Sequence, residues 1–211
     1  MRIAVFGATG GIGKNVVRFA LNQNYYVNAY VRNPKKMDIH DEKLTVYEGM
    51  VSDYCAMKEA MKGCDAVVIA LGISMKFGYR DTASIEAHEN IIRIMQELGI
   101  RRLIDWSTPS VKDEKDTKSF ITIIPGIMAG LFLPKAKKVL LEVSGQVKHS
   151  NLDWTIVRFM APKDTAYTGN VKVSFGEKKL KFAISRADIG AFMVQQIESD
   201  EYLYRMPIIG T

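Results

Sequence analysis

The sequence predicts an α/β fold: a doubly wound, mostly parallel sheet with helices on both faces. Three observations lead there. Short runs rich in apolar and β-branched residues alternate with stretches of helical length and period through the first two-thirds of the chain. The short runs are continuously apolar, which is how strands read when both of their faces are covered. Strand, helix and strand in steady succession need right-handed crossovers, and these put helices on either side of an open sheet. A hydrophobic fraction of 47% and a charged fraction of 25% over 211 residues suit a well-buried core and argue against disorder, so a single domain spanning 1–211 is expected.

In chain order, strands are expected at "RIAVF", "YYVNAYV", "KLTVYEG", "DAVVIAL", "RRLIDWS" and "DWTIVRF". The clearest helix is "DTASIEAHENIIRIMQELG", where Ile85, His88, Ile92, Met95 and Leu98 fall three and four apart on one face. Asp81 can cap its start and Gly99 its end. The longest apolar segment, "FITIIPGIMAGLFL" at 120–133, contains Pro125 and falls short of the roughly 20 residues that a bilayer span needs, so no membrane span is expected. In the tail, "NVKVSFGEKKLKFAIS" reads as two short strands around a Gly-Glu turn. Ser185 and Asp188 then have the form of a capping box opening the helix "RADIGAFMVQQI". The C-terminal part, residues 155–211, is expected to contribute to the substrate side.

The net charge of +6 is spread along the chain among 23 acidic residues instead of gathered with aromatic side chains, which describes a solvated basic surface and not a nucleic-acid interface. Cys55 and Cys64 are too few for a disulfide framework and suggest free thiols in a reducing cytoplasm. Gly7 interrupts the first apolar run, so an export signal is not expected there. His40, His88 and His149 are scattered with no metal-ligand spacing, and His88 reads as a core residue on its helix's apolar face.

The stretch "GATGGIG" carries the strongest chemical signal. Gly7 would end the first strand, Gly10 and Gly11 make the turn, and Gly13 lie in the first helical turn, where a missing Cβ permits tight packing of helix on strand. Unpaired amides and the partial positive charge at that helix start make a seat for a pyrophosphate. A nucleoside-triphosphate loop ending in Gly13-Lys14 fits poorly, because Ala8 stands at its first glycine and Asn15 replaces the Mg²⁺-binding hydroxyl. A dinucleotide is therefore expected. At the end of the second strand an acidic residue would select NAD by its ribose 2′-OH, whereas a 2′-phosphate calls for arginine. Here "AYVRNPKK" places Arg32 at that point with Lys35 and Lys36 behind it, which favours NADP(H) over NAD(H).

These residues, with "YEGMVSD", "DAVVIALG", "GIRRLIDWST", "SNLDWTIVRF" and "ISRADIGAFMV", resemble the atypical short-chain dehydrogenase/reductase proteins with a Rossmann-type NAD(P)-binding fold, among them biliverdin reductase B/flavin reductase and NmrA-like proteins. The resemblance spans nearly the whole chain. It implies that Gly7, Thr9, Gly10, Ile12 and Gly13 line the pyrophosphate and Arg32 the 2′-phosphate. Met50 and Val51 would flank the adenine, although relatives often have aspartate at the Met50 position. Ala70, Leu71 and Gly72 would line the sugar and nicotinamide, with Ser107 and Thr108 offering a hydroxyl near the nicotinamide. Lys138 fits the lysine of the family's Tyr-x-x-x-Lys pair, but Pro134 stands at the tyrosine place. Ala161 stands where biliverdin reductase B-like proteins can carry histidine. The string Tyr54 to Lys58 matches the same pattern by coincidence, because it follows the third strand.

Without that tyrosine, a carbonyl substrate has no evident proton donor, whereas a flavin, quinone or tetrapyrrole can take its proton from solvent or from a hydroxyl such as that of Ser107 or Thr108. The expected activity is thus hydride transfer from NADPH to a planar small-molecule acceptor, by a monomer or homodimer. The same loss leaves open an NmrA-like, non-catalytic NADP(H) sensor, or an epimerase-like isomerase. The apolar segment 119–138 could form a lid over the acceptor, or pack as core or a dimer contact. Met75, Phe77 and Tyr79 could line the same cleft.

Overall fold

The computed structural model describes residues 1–73 and 83–211. Asp81, Met75, Phe77 and Tyr79, with the roles expected for them, lie outside the described residues. In chain order the strands and helices are β1 (Arg2–Phe6), α1 (Gly13–Asn22), β2 (Tyr26–Val31), β3 (Leu44–Glu48), α2 (Tyr54–Met61), β4 (Ala66–Ile69), α3 (Ala83–Leu98), β5 (Arg102–Ser107), α4 (Phe120–Phe132), α5 (Pro134–Lys148), β6 (Asp153–Arg158), β7 (Pro162–Lys163), β8 (Lys172–Ser174), β9 (Ile184–Ser185), α6 (Arg186–Gln195) and β10 (Ile208–Gly210). A 3₁₀ turn, Pro34–Lys36, follows β2, and Asn33 caps it by accepting from the Lys35 amide at 3.0 Å.

The main sheet has the order β3-β2-β1-β4-β5-β6-β10-β8. Its pairs are parallel except that of β10 with β8. The chain runs outward from β1 to β3 on one side and from β4 onward on the other, so the order reverses between β1 and β4, the place where open α/β sheets leave a crevice for ligands. One sheet face is covered by α1 and α6 through Val16, Val17, Ile189 and Met193. The opposite face is covered by α2, α3 and α5 through Met57, Ile91, Met95 and Leu140. Continuously apolar strands are the consequence: Ile3 and Val5 face the first core, and Ala4 and Phe6 the second.

Helix starts follow from their caps. The Asp53 carboxylate accepts from the Ala56 amide at 3.0 Å to open α2, and the Ser185 hydroxyl accepts from the Asp188 amide at 2.8 Å to open α6. The return half of the expected box does not form, because the Asp188 carboxylate instead accepts from the Thr168 and Gly169 amides and both the Thr168 and Ser185 hydroxyls. It thereby ties the strand-poor stretch 164–171 to the start of α6.

The tail forms the two short strands expected in 170–185, β8 and β9, but they do not pair with each other: β8 pairs with β10 and β9 with β7. Of the alternatives open for the apolar segment, burial in the core is not the one taken by its first half. The segment forms two helices that meet at Leu133, and the first of them, α4, is largely exposed, with only Thr122 and Pro125 buried. The stripe on α3 includes His88 and Met95 as expected, but Ala87, Ile91 and Ile94 bury more fully than Ile85 or Leu98.

Candidate functional site

At the reversal between β1 and β4 a cleft of about 390 Å³ opens. Its floor is the loop after β1. Gly7 sits at φ +79°, and a Cβ there would lie 2.5 Å from the Ala70 carbonyl oxygen. A Cβ on Gly13 would lie 2.1 Å from the Gly7 oxygen, so α1 can seat on β1 only if this residue is glycine. Both contacts are with backbone, which cannot swing aside. The Gly10 amide donates to the Gly7 oxygen at 2.9 Å and closes the turn. Among the described residues, the amides of Gly11, Ile12 and Gly13 donate to no acceptor, and the positive end of α1 lies behind them.

The cleft brings together Gly7, Thr9, Gly10, Arg32, Met50, Val51, Ala70, Leu71 and Gly72, which come from the ends of β1, β2, β3 and β4. Gly11, Ile12 and Gly13 are not among its lining residues. Gly13 is buried under the turn, Ile12 packs on the core, and Gly11 lies beneath Arg186, whose Cδ would be 2.6 Å from a Cβ there. Arg186 is itself held by Asp164 at 2.7 Å. The cleft also includes Tyr30, Lys36, Ser84 and Ala87. The small residues Ala83, Ser84 and Ala87, spaced three and four apart on α3, were a readable sign of close approach to that helix face. Tyr30 gave no such sign. Its hydroxyl donates to the Met50 oxygen at 2.9 Å, and burial, with the nearby Asp53 charge, pushes its pKa up to about 12, so it stays a neutral donor fixing the cleft wall at the end of β3.

Beyond β5 the chain bends through Thr108 and Ser110, whose hydroxyls lie 2.7 Å apart. Both line a second, almost wholly apolar groove of about 380 Å³ between α4 and α5, with Pro125, Phe132, Leu140 and Met160 among its walls. The two cavities thus open at the carboxyl ends of β4 and β5, neighbouring strands. Ser107 is fully buried and accepts from the Ser144 hydroxyl at 3.2 Å, so it stands behind Thr108 and does not line the groove. Lys138 is exposed, and it is Lys137 that lines the groove, donating to the Gly126 oxygen at 2.8 Å. Tyr54 and Lys58 both bond Glu97 at 2.7 Å, a surface cluster tying α2 to the last turn of α3 and not among the cleft's lining residues.

The loop after β5 is pinned by charge. Arg158, fully buried, donates to both Asp116 oxygens at 2.6 Å and to the Val111 oxygen at 2.9 Å. Asp113 accepts from the Met206 amide at 2.7 Å and pairs with Arg205. Below Ser107, Asp105 faces His88 at 3.4 Å, and the His88 Nδ1 lies 2.6 Å from the Ser84 oxygen. Burial pushes the His88 pKa down, but the Asp105 carboxylate and these hydrogen bonds outweigh it, leaving the imidazole above its ordinary 6.5.

The family model described as NAD(P)H-binding matches residues 7–200, from the first glycine to beyond α6. The chain is 23% identical over 225 residues to oxidoreductase GME11367 of Pestalotiopsis microspora, covering 98% of this chain and 83% of that one. It is 25% identical over 156 residues to the (4-alkanoyl-5-oxo-2,5-dihydrofuran-3-yl)methyl phosphate reductase of Streptomyces griseus, covering 74% of this chain but 46% of that protein. Among solved structures it superposes on the anaerobillin reductase ChuY of Escherichia coli O157:H7 with a TM-score of 0.77 at 19% identity, covering 100% of this chain and 97% of that one. The oxidoreductase YlbE of Lactococcus lactis gives 0.78 at 17% identity, covering 100% and 91%. Such identities show a shared Rossmann-type fold. With the glycine turn, the open amides and the match from 7 to 200 in agreement, the chain belongs to the NAD(P)H-binding family.

Proposed function

We propose that this chain is an NADPH-dependent reductase, acting in the cytoplasm, that passes hydride to a planar flavin-, quinone- or tetrapyrrole-like acceptor. The observation that carries the reading is the adjacency of two unlike cavities, a glycine-floored cleft ending at Arg32 and an apolar groove beginning at Thr108. The oxidoreductase names of the fungal and Streptomyces relatives accord with it.

Bound NADPH would supply the hydride. Gly7, Thr9 and Gly10, with the positive end of α1 behind them, would hold its pyrophosphate, Arg32 and Lys36 its 2′-phosphate, and Met50 and Val51 its adenine. Ala70, Leu71 and Gly72 would hold the ribose and nicotinamide. The groove walls exclude water from an apolar ring. The Thr108 Oγ1, 2.7 Å from the Ser110 hydroxyl on the groove wall, would hand a proton to the reduced acceptor, and Ser107, bonded by Ser144, would steady the bend that carries it. Lys138 stands outside this arrangement, so proton transfer through Thr108 or from solvent is the route the geometry supports. Pro134, at the start of α5, supports a second reading as a sensor that binds NADP(H) without turnover, and weighs against an epimerase.

The test is to mix the chain with NADPH and a panel of flavins, quinones and biliverdin and follow nicotinamide absorbance. Oxidation with at least one planar acceptor, lowered at least about tenfold by Thr108→Val, is the expected result. Tight NADPH binding with no oxidation across the panel selects the sensor.

A further inference from the structure

A helix that is apolar on every face belongs in a core or in lipid. The outward face of α4 presents Phe120, Ile127, Leu131 and Phe132 with 83%, 56%, 70% and 59% of their surface exposed, and Ile123 and Ile124 lie between them. The helix has 13 residues, and no helix among the described residues is long and apolar enough to cross a membrane. Its burial partner must therefore be a surface it lies on.

The charges around it say which. From Thr117 to Leu141 there is no acidic residue, while Lys118 precedes α4 and Lys135, Lys137 and Lys138 follow it. The neighbouring turn, joined to Thr117 through the Phe175 oxygen at 2.8 Å, adds exposed Lys178 and Lys179. Its Glu177 carboxylate is engaged by the Phe175 amide at 2.7 Å. A second copy meeting this face about a two-fold axis would set lysine against lysine with no carboxylate from the stretch to pair them. An anionic bilayer offers the opposite: acyl chains for the apolar face and headgroup phosphates for the rim.

We propose that α4 is an interfacial helix that docks the protein, in the plane of the membrane, on anionic lipid. The apolar side chains enter the acyl boundary and the lysines stay at headgroup level with their stems along it. Because the groove between α4 and α5 is walled partly by Met128 and Phe132, docking also brings its mouth to the lipid surface. The proposal stands on the exposed face and its charges, and holds whether or not the chain turns over NADPH.

The experiment is co-sedimentation of the full chain with phosphatidylcholine vesicles, with and without phosphatidylglycerol. Binding is expected with the anionic vesicles, weakened about tenfold or more by omitting phosphatidylglycerol or by Lys118→Glu with Lys135→Glu. Ile127→Ser with Leu131→Ser, both at exposed sites, is expected to reduce it by a similar factor while circular dichroism stays unchanged. Should that pair misfold, Leu131→Trp supplies the readout, with a blue-shifted emission on anionic vesicles. No sedimentation, equal sedimentation on neutral lipid, no blue shift, or a dimer in solution that the serine pair dissociates would each overturn the proposal.

Discussion

Arg32 stands exposed at the end of β2, beyond the buried Val31, and lines the cleft together with Thr9. Arg32→Ala is expected to weaken NADPH by about 1.5–3 kcal/mol, the worth of a charged hydrogen bond, and NADH little. Calorimetric titration with both coenzymes checks it, and equal losses would remove its assigned role. His88 makes a second prediction. Its folded pKa lies above the ordinary 6.5, so the charged pair with Asp105 contributes stability that is complete below that value and lost as pH rises through the folded pKa. Melting temperature should fall across that range in the native chain, and Asp105→Asn should flatten the fall. That Arg32 lines the cleft was legible from its place after a strand. The His88–Asp105 pairing was not, since only the sheet brings α3 and β5 together.

At the scale of elements, Gly13 decides how closely α1 approaches β1. Gly13→Ala forces a methyl to within 2.1 Å of a backbone oxygen, and overpacking of this kind costs about 1–3 kcal/mol. Thermal unfolding measures that cost, and coenzyme affinity should fall with it as the amides shift. The six core strands, α1 and α3 were readable because burial on both faces and a helical period leave strong local marks. What failed to show was decided by partners far along the chain. β8 pairs with β10, some 35 residues on, through Val173 and Ile209, and nothing within 170–185 announces it. For the segment holding α4, lid, core and dimer contact all stayed open, because hydropathy records what a side chain prefers, not what covers it. Lys137 and Lys138 differ by one step of helix rotation, enough to exchange which of them meets the groove.

For the molecule as a whole, a ligand that binds only the native state raises its melting point by mass action. NADPH at about one hundred times its dissociation constant should add about 2.7 kcal/mol and raise the transition by about 5–10 °C for a chain of this size, a shift that differential scanning fluorimetry reads directly. An unchanged transition would contradict coenzyme binding to the folded form. The buried fork of Arg158 on Asp116, with Asp113 tied to the segment at Arg205 and Met206, has a further consequence. The loop that gives the groove its Thr108 and Ser110 wall is riveted to the sheet, while another wall, α4, buries only Thr122 and Pro125. If the groove takes the proposed ring acceptor, rings of different breadth would be admitted by yielding on a single side, leaving the groove permissive about size and strict about where the reacting atom comes to rest.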